Sequence, residues 1–300
     1  MRRPTRAVVL FFFGLIPAAT DAIAAPITFN TALPVPKSEF IVREQFVVDQ
    51  SGHDPSGTGR DRTSWSLLSV LGYGITGKLA LFGVLPYADK TLMLNAGGRR
   101  LTRGASGIGD LTLFGRYTVF QQDRPGRTLR IAPFLGVKIP TASGDKHDAL
   151  GRLPAPIQTS TGAWGGLSGV VASFQTLDYQ IDAQVGYQFH GKAKGFEFGD
   201  VVRLDGSLQY RVWPPELTSA LPGFLYAVIE ANLIHQWKNR FQGIDNPNSG
   251  GTSFFLTPGI QYVTRRWVLE AAVQLPAVQS LNGTALERDY IVRAGFRFNF

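Results

Sequence analysis

The sequence predicts an all-β fold, a transmembrane antiparallel β-barrel of about 12 strands. Three features of the 300-residue chain point to it. Apolar and polar residues alternate with period two from about residue 38 to residue 300, as in strands whose two sides face different media. Beyond the N-terminus, no stretch reaches the roughly 18 uncharged apolar residues of a membrane-spanning helix. Yet the chain carries 21 Phe, 9 Tyr, 5 Trp and 34 Gly at a mean hydropathy of +0.01, a mixture that suits many strands and tight turns.

Arg2, Arg3 and Arg6 precede a short apolar run over residues 7–19, and small residues follow, which is the layout of a secretory signal. Ala22 and Ala24 place cleavage after Ala24 and keep Pro26 away from the cut. The expected organisation is a signal peptide over 1–24, a periplasmic N-terminal lead over 25–37 that is free to tuck into the barrel, and a barrel over 38–300. Zero cysteines exclude a disulfide scaffold, a lipidated N-terminal cysteine and thiolate metal sites. The formal charge is +8, and loss of residues 1–24 removes three arginines and one aspartate to leave +6. The bases are scattered rather than gathered in a stripe. That argues against a nucleic-acid partner and for a basic lumen or an anionic membrane surface.

The alternation places strands at 38–48, 63–75, 79–88, 108–120, 128–140, 161–175, 179–190, 197–212, 224–238, 252–263, 267–276 and 289–300, each long enough to cross a bilayer when tilted. The clearest is the seventh, where Leu177, Tyr179, Ile181, Ala183, Val185, Tyr187 and Phe189 face lipid. Asp178, Gln180, Asp182, Gln184, Gln188 and His190 alternate with them and face water. On this reading Ile181→Arg impairs folding and Gln180→Arg is tolerated. Connections after odd strands are long and point outside, at 49–62, 89–107, 141–160, 239–251 and 277–288. Those after even strands are short, as at 76–78 and 264–266. The pair 191–196 and 213–223 breaks this rule, and an even strand count nevertheless puts both termini in the periplasm. In the last strand Tyr290, Val292, Ala294, Phe296, Phe298 and Phe300 share one face. Outer-membrane barrels commonly end this way, so Phe296, Phe298 and Phe300 are the expected signal for barrel assembly machinery.

Gly107-Ile108-Gly109-Asp110 opens a strand that continues to Arg116-Tyr117. A turn at Pro125-Gly126 leads to Gly136-Val137-Lys138-Ile139-Pro140-Thr141. This block resembles the outer-membrane barrel family named for the meta-cleavage pathway of phenol degradation, with Ala142-Ser143-Gly144 lengthening the family's usual strand end. The resemblance implies a channel or transporter in the Gram-negative outer membrane, linked to aromatic catabolism. A phosphate-cradling role for Gly107 and Gly109 needs a strand-loop-helix context that is missing here.

No catalytic residue, cofactor or metal site is expected. Outer-membrane lipid hydrolases pair His with Ser two residues on, and His53, His147, His190 and His235 lack that spacing. Parity puts His235 with Trp237 on the lipid side, in an aromatic belt. The charged residues expected to line the lumen are Arg116, Lys138, Asp182, Arg203, Asp205, Arg211, Glu230, Glu270, Arg293 and Arg297. Arg293 and Arg297 could also pair with Glu44 to seal the barrel. The expected function is a passive, porin-like outer-membrane channel for small solutes, including aromatic or other organic anions. The alternatives are a plugged barrel with a structural or surface-interaction role and, further off, a lipid hydrolase. Outer-membrane lipids, assembly machinery and an unidentified solute are the expected partners.

Overall fold

A strand can hold polar and apolar side chains in strict alternation only if its two faces meet different surroundings, and in this protein every long strand resolves that demand by closing a ring. The computed structural model describes residues 24–216 and 222–300. Of the expected signal segment, 1–24, all but Ala24 lies outside the described residues. The wall strands are β1 (Phe40–Ser51), β2 (Asp61–Gly74), β3 (Leu79–Ala96), β4, β5 (Arg127–Ile139) and β6 (Gly165–Thr176). They continue with β7 (Tyr179–His190), β8 (Val201–Trp213), β9 (Phe224–Gln236), β10 (Gly251–Val263), β11 (Trp267–Leu281) and β12 (Tyr290–Asn299). β4 is broken into β4a (Arg99–Ile108), β4b (Leu111–Tyr117) and β4c (Phe120–Arg124). Each strand pairs antiparallel with its neighbours in sequence, and β1 pairs with β12 from Ile41↔Asn299 to Gln50↔Tyr290. The result is a closed 12-strand barrel with no free edge.

Polarity is inverted relative to a water-soluble protein. Gln180, Gln209, Asn232 and Thr257 are fully buried inside the ring, while Leu135, Val185, Tyr187 and Leu208 stand exposed on its outer surface. Outward aromatics gather into two belts. Phe40 against Tyr73 and Tyr262 against Trp267 mark the end that carries the short turns. Phe46, Trp65 and Tyr87, together with Tyr187 and Trp237, mark the end that carries the long loops. Belts of this kind sit where hydrocarbon meets the polar headgroups.

Two expectations about the loops are corrected. Residues 89–107 are not a loop, because β3 and β4a extend as a paired ribbon from Tyr87↔Ile108 to Ala96↔Arg99. The ribbon turns at Gly97 and Gly98, which both have positive φ (56° and 72°) as a two-residue hairpin turn requires. The short outer connection expected at 191–196 is in fact residues 191–200, since β8 starts at Val201. It holds the pairing strands Lys192–Ala193 and Phe196–Glu197. That hairpin joins another formed by Arg240–Phe241 and Ile244–Asp245, giving a small four-stranded cap at the loop end. The loop over residues 52–60 is held by Asp54. Burial alone raises the carboxyl's pKa, but the Arg60 side chain and backbone, with Ser56, more than reverse this and leave it well below the usual carboxylate range.

Residues 24–37 cross the inside of the ring. Ala24 and Ile27 pack with Tyr226, Val228, Val263, Val268 and Ala272, Ala32 packs with Ala132, Phe134 and Val171, and Val35 packs with Ala80 and Phe82. This contact explains why the inner row of β9 is apolar at Tyr226 and Val228 and polar at Glu230 and Asn232. The segment then leaves along β2, where Gly74 is indispensable, since a Cβ there would stand 1.9 Å from the carbonyl oxygen of Pro36.

Candidate functional site

A segment without regular secondary structure must find other partners for its backbone, and here the polar inner wall supplies them. Gln261 binds both polar atoms of Ala25, accepting from its N–H at 3.4 Å and donating to its carbonyl at 2.6 Å. Glu230 accepts from the N–H groups of Ile27 (2.6 Å) and Thr28 (3.1 Å) and from the Thr28 hydroxyl. Arg43 and Gln45 donate to the Ile27 carbonyl. Ser173 accepts from Ala32 N–H at 2.7 Å and donates to Asp182. Arg116 donates to Asn30 Oδ1 (2.7 Å), the Thr31 carbonyl and the Leu33 carbonyl (2.6 Å), with its guanidinium 4.9 Å from the centre of the Phe82 ring. Residues 24–35 therefore form a plug clamped from several sides of the lumen.

The structure sorts the charged residues expected on the inner row into separate places. Arg116, Asp182, Glu230 and Glu270 belong to the clamp, with Glu270 held by Arg43, Gln45 and Gln261. Toward the loop end, Arg203 pairs with Asp205 (3.0 Å), Lys138 lies 3.7 Å from Asp110, and Arg293 donates to Gln45. Arg211 is at the opposite end, bound to Asp178 and Pro214 of the short turns. Arg297 lies across the β1–β12 seam from Arg43. The suggested partner Glu44 is a correction. It sits on the outer row of β1 with Phe46 and accepts from Ser69, whereas Arg293 donates to Gln45 on the inner row.

Sequence reasoning missed Arg43, Asp49, Arg62, Lys90 and Arg288. Asp49 bridges Arg62 (3.3 Å) and Arg288 (3.5 Å) near the loop end. The signal was weak because both rows of β1 carry charges, Arg43 and Asp49 inside and Glu44 outside. Lys90 was hidden by the reading of 89–107 as a loop. The Gly107-to-Asp110 motif also acquires a reason. Asp110 accepts from the Ser160 hydroxyl and from both the N–H and hydroxyl of Thr161, folding residues 158–161 into the barrel mouth. Gly109 has no side chain to block this, for a Cβ there would lie 2.9 Å from the Thr159 carbonyl oxygen.

Among the described residues, no three His, Asp or Glu side chains gather as a metal site. Nor does any of the four histidines hydrogen-bond a serine there. His235 contacts Thr252 (2.8 Å) and Trp237 on the outer wall, His190 meets the Gly199 carbonyl, His147 the Asp145 carbonyl, and His53 faces Glu287.

The chain is similar in structure to an outer membrane channel of the COG4313 group from Pseudomonas putida F1, with 13% identity, coverage of 96% of this chain and 100% of that one, and a TM-score of 0.67. It is also similar to the β domain of the Bordetella autotransporter BrkA, at 12% identity, 88% and 100% coverage and a TM-score of 0.49. At such identities the first of these likenesses speaks for the fold, that of an outer-membrane barrel. No curated protein matches the chain in sequence. Residues 46–277, more than half of the chain, match the family described as "Putative MetA-pathway of phenol degradation", and the chain belongs to that family.

Proposed function

We propose that this protein is a passive outer-membrane channel for small organic anions, kept closed by residues 24–35, with its short turns and both ends of the barrel chain on the periplasmic side. The observation that carries this reading is the contrast between the two halves of the lumen. The turn half is filled by the plug, whereas the loop half keeps Arg62, Lys90, Lys138, Arg203, Arg288 and Arg293 against the carboxylates Asp49, Asp110 and Asp205. The lining bases outnumber these acids, and fixed positive charge concentrates anions in a narrow path. The channel named in the P. putida structure and the phenol-degradation description of the family support solutes such as aromatic acids and phenolates.

The test is the reversal potential in planar bilayers under a salt gradient. We expect discrete conductance steps that favour anions, with selectivity fading as salt shortens the Debye length below about 10 Å. Arg203→Gln with Arg293→Gln should move the reversal potential toward cations. Absence of conductance at any voltage, or unaltered selectivity in the double variant, would defeat the reading and favour a plugged structural barrel.

Export and assembly belong to the same reading. The outward row of Phe296, Phe298 and Phe300, whose rings contact one another along β12, is proposed to engage barrel assembly machinery. Deleting Phe300 is expected to cut the amount of heat-modifiable folded barrel in the outer membrane severalfold. Wild-type amounts of folded barrel would remove that role.

A further inference from the structure

Beneath the folded-in loop lies a cavity of about 220 Å³ that the plug does not reach. Its wall is made by Lys90 on β3, Thr112 on β4b and Lys138 on β5, its roof by Thr159, and its apolar side by Pro86 and Phe198. Since about 10 to 15 Å³ of such space admits one water, the cavity has room for a small organic acid.

The charges and donors around this space are unequal in what they have left to give. Asp110 also borders it, but its oxygens are taken up by Ser160, Thr161 and Lys138, so its negative charge is already answered. Lys90 forms no ion pair among the described residues. Its ammonium donates to the Gln158 carbonyl at 2.8 Å and lies 3.5 Å from that of Pro156, and a third N–H remains. Lys90 is therefore a cavity-lining ammonium with an N–H to spare and no carboxylate in contact, which suits an anion.

We infer that this cavity binds the carboxylate of a small organic acid, with Lys90 as counter-ion, Lys138 as second cation, and Phe198 and Pro86 against the acid's apolar body. The inference deepens the channel reading by giving it a binding station at the loop mouth, and it rests on that reading only for the route by which the acid arrives. The acid in this site is monovalent, because the Lys138–Asp110 pair leaves one net positive charge.

The experiment uses the full-length protein in detergent and observes 4-fluorobenzoate by fluorine NMR line broadening, so no flux is required. Binding should be displaced by butyrate, and 4-fluorobenzyl alcohol, the neutral counterpart, should not bind. Lys90→Gln retains a donor for the Gln158 carbonyl, so the barrel should stay heat-modifiable while affinity falls about tenfold, as for loss of one hydrogen bond to a charged group. Arg211→Gln, at the other end of the barrel, should leave affinity unchanged. Equal binding of the alcohol, unaltered affinity in Lys90→Gln, or no binding at millimolar acid would overturn the inference. Displacement by inorganic phosphate as effective as by butyrate would overturn the organic-acid assignment in favour of a plain oxyanion site. Binding without conductance would sink the channel reading alone, and conductance without binding would sink this inference alone.

Discussion

Replacing Arg116 by Ala, or deleting residues 25–35, is expected to raise the open probability of the barrel in planar bilayers by at least about tenfold. Arg116 is 4% exposed and grips the plug through Asn30, Thr31 and Leu33, and hydrogen bonds to a charged donor contribute about 1.5 to 3 kcal/mol each. Loss of even one such bond shifts a closed-to-open equilibrium by a factor of ten or more, since 1.4 kcal/mol is one decade. Arg116→Lys keeps the charge but loses the forked geometry, so it should fall between wild type and Ala. The barrel itself should survive, because its backbone ladder runs unbroken from β1 round to β12 without the plug. Single-channel recording of the wild type and the three variants side by side is the check. Unchanged gating in both the Ala variant and the deletion would mean that residues 24–35 do not close the path.

A charge on the outer wall should be the most damaging single change, and its cost should grow with depth. Val185 lies near the middle of β7, points outward and is 55% exposed, so Val185→Arg places a guanidinium in hydrocarbon at about 2 to 4 kcal/mol. Ile181 is only two residues from Tyr179, near the turn-end belt, and Ile181→Arg should cost less because the side chain can reach the headgroup region. Folding titrations in lipid vesicles should rank wild type, Ile181→Arg and Val185→Arg in decreasing stability. Equal stability of all three would show that this face does not meet lipid.

Period-two alternation is a local property, and what it reported was local. Every second residue of β7 to β12 must suit lipid, so the faces, the approximate strand ends and the closing pair of β12 with β1 were legible from the order of residues alone. Where the alternation is mixed the reading failed, as at Glu44, because a row that carries both a charge and aromatics does not declare its medium. The ribbon closed by Gly97 and Gly98 was missed as well, because the polar residues of 99–107 masked its second strand.

The contents of the ring were another matter. Gln180 reads as a residue facing water, yet it is wholly buried and donates to Asp182 beneath the plug, so an arginine there has no open lumen to enter. Parity told which way that side chain points and nothing about what occupies the space beyond it. Ile27 finds Glu230 across 203 residues of sequence, and Asp110 finds Thr161 across 51. Neither pairing leaves a mark in the pattern of its own strand. The amino-acid order by itself determined a membrane-facing barrel of twelve strands with a polar interior, because each strand answers to the medium on its two sides. Whether that interior is filled, and where a cavity remains, was decided only by the tertiary structure, because those features arise from contacts between segments that meet after the ring has closed.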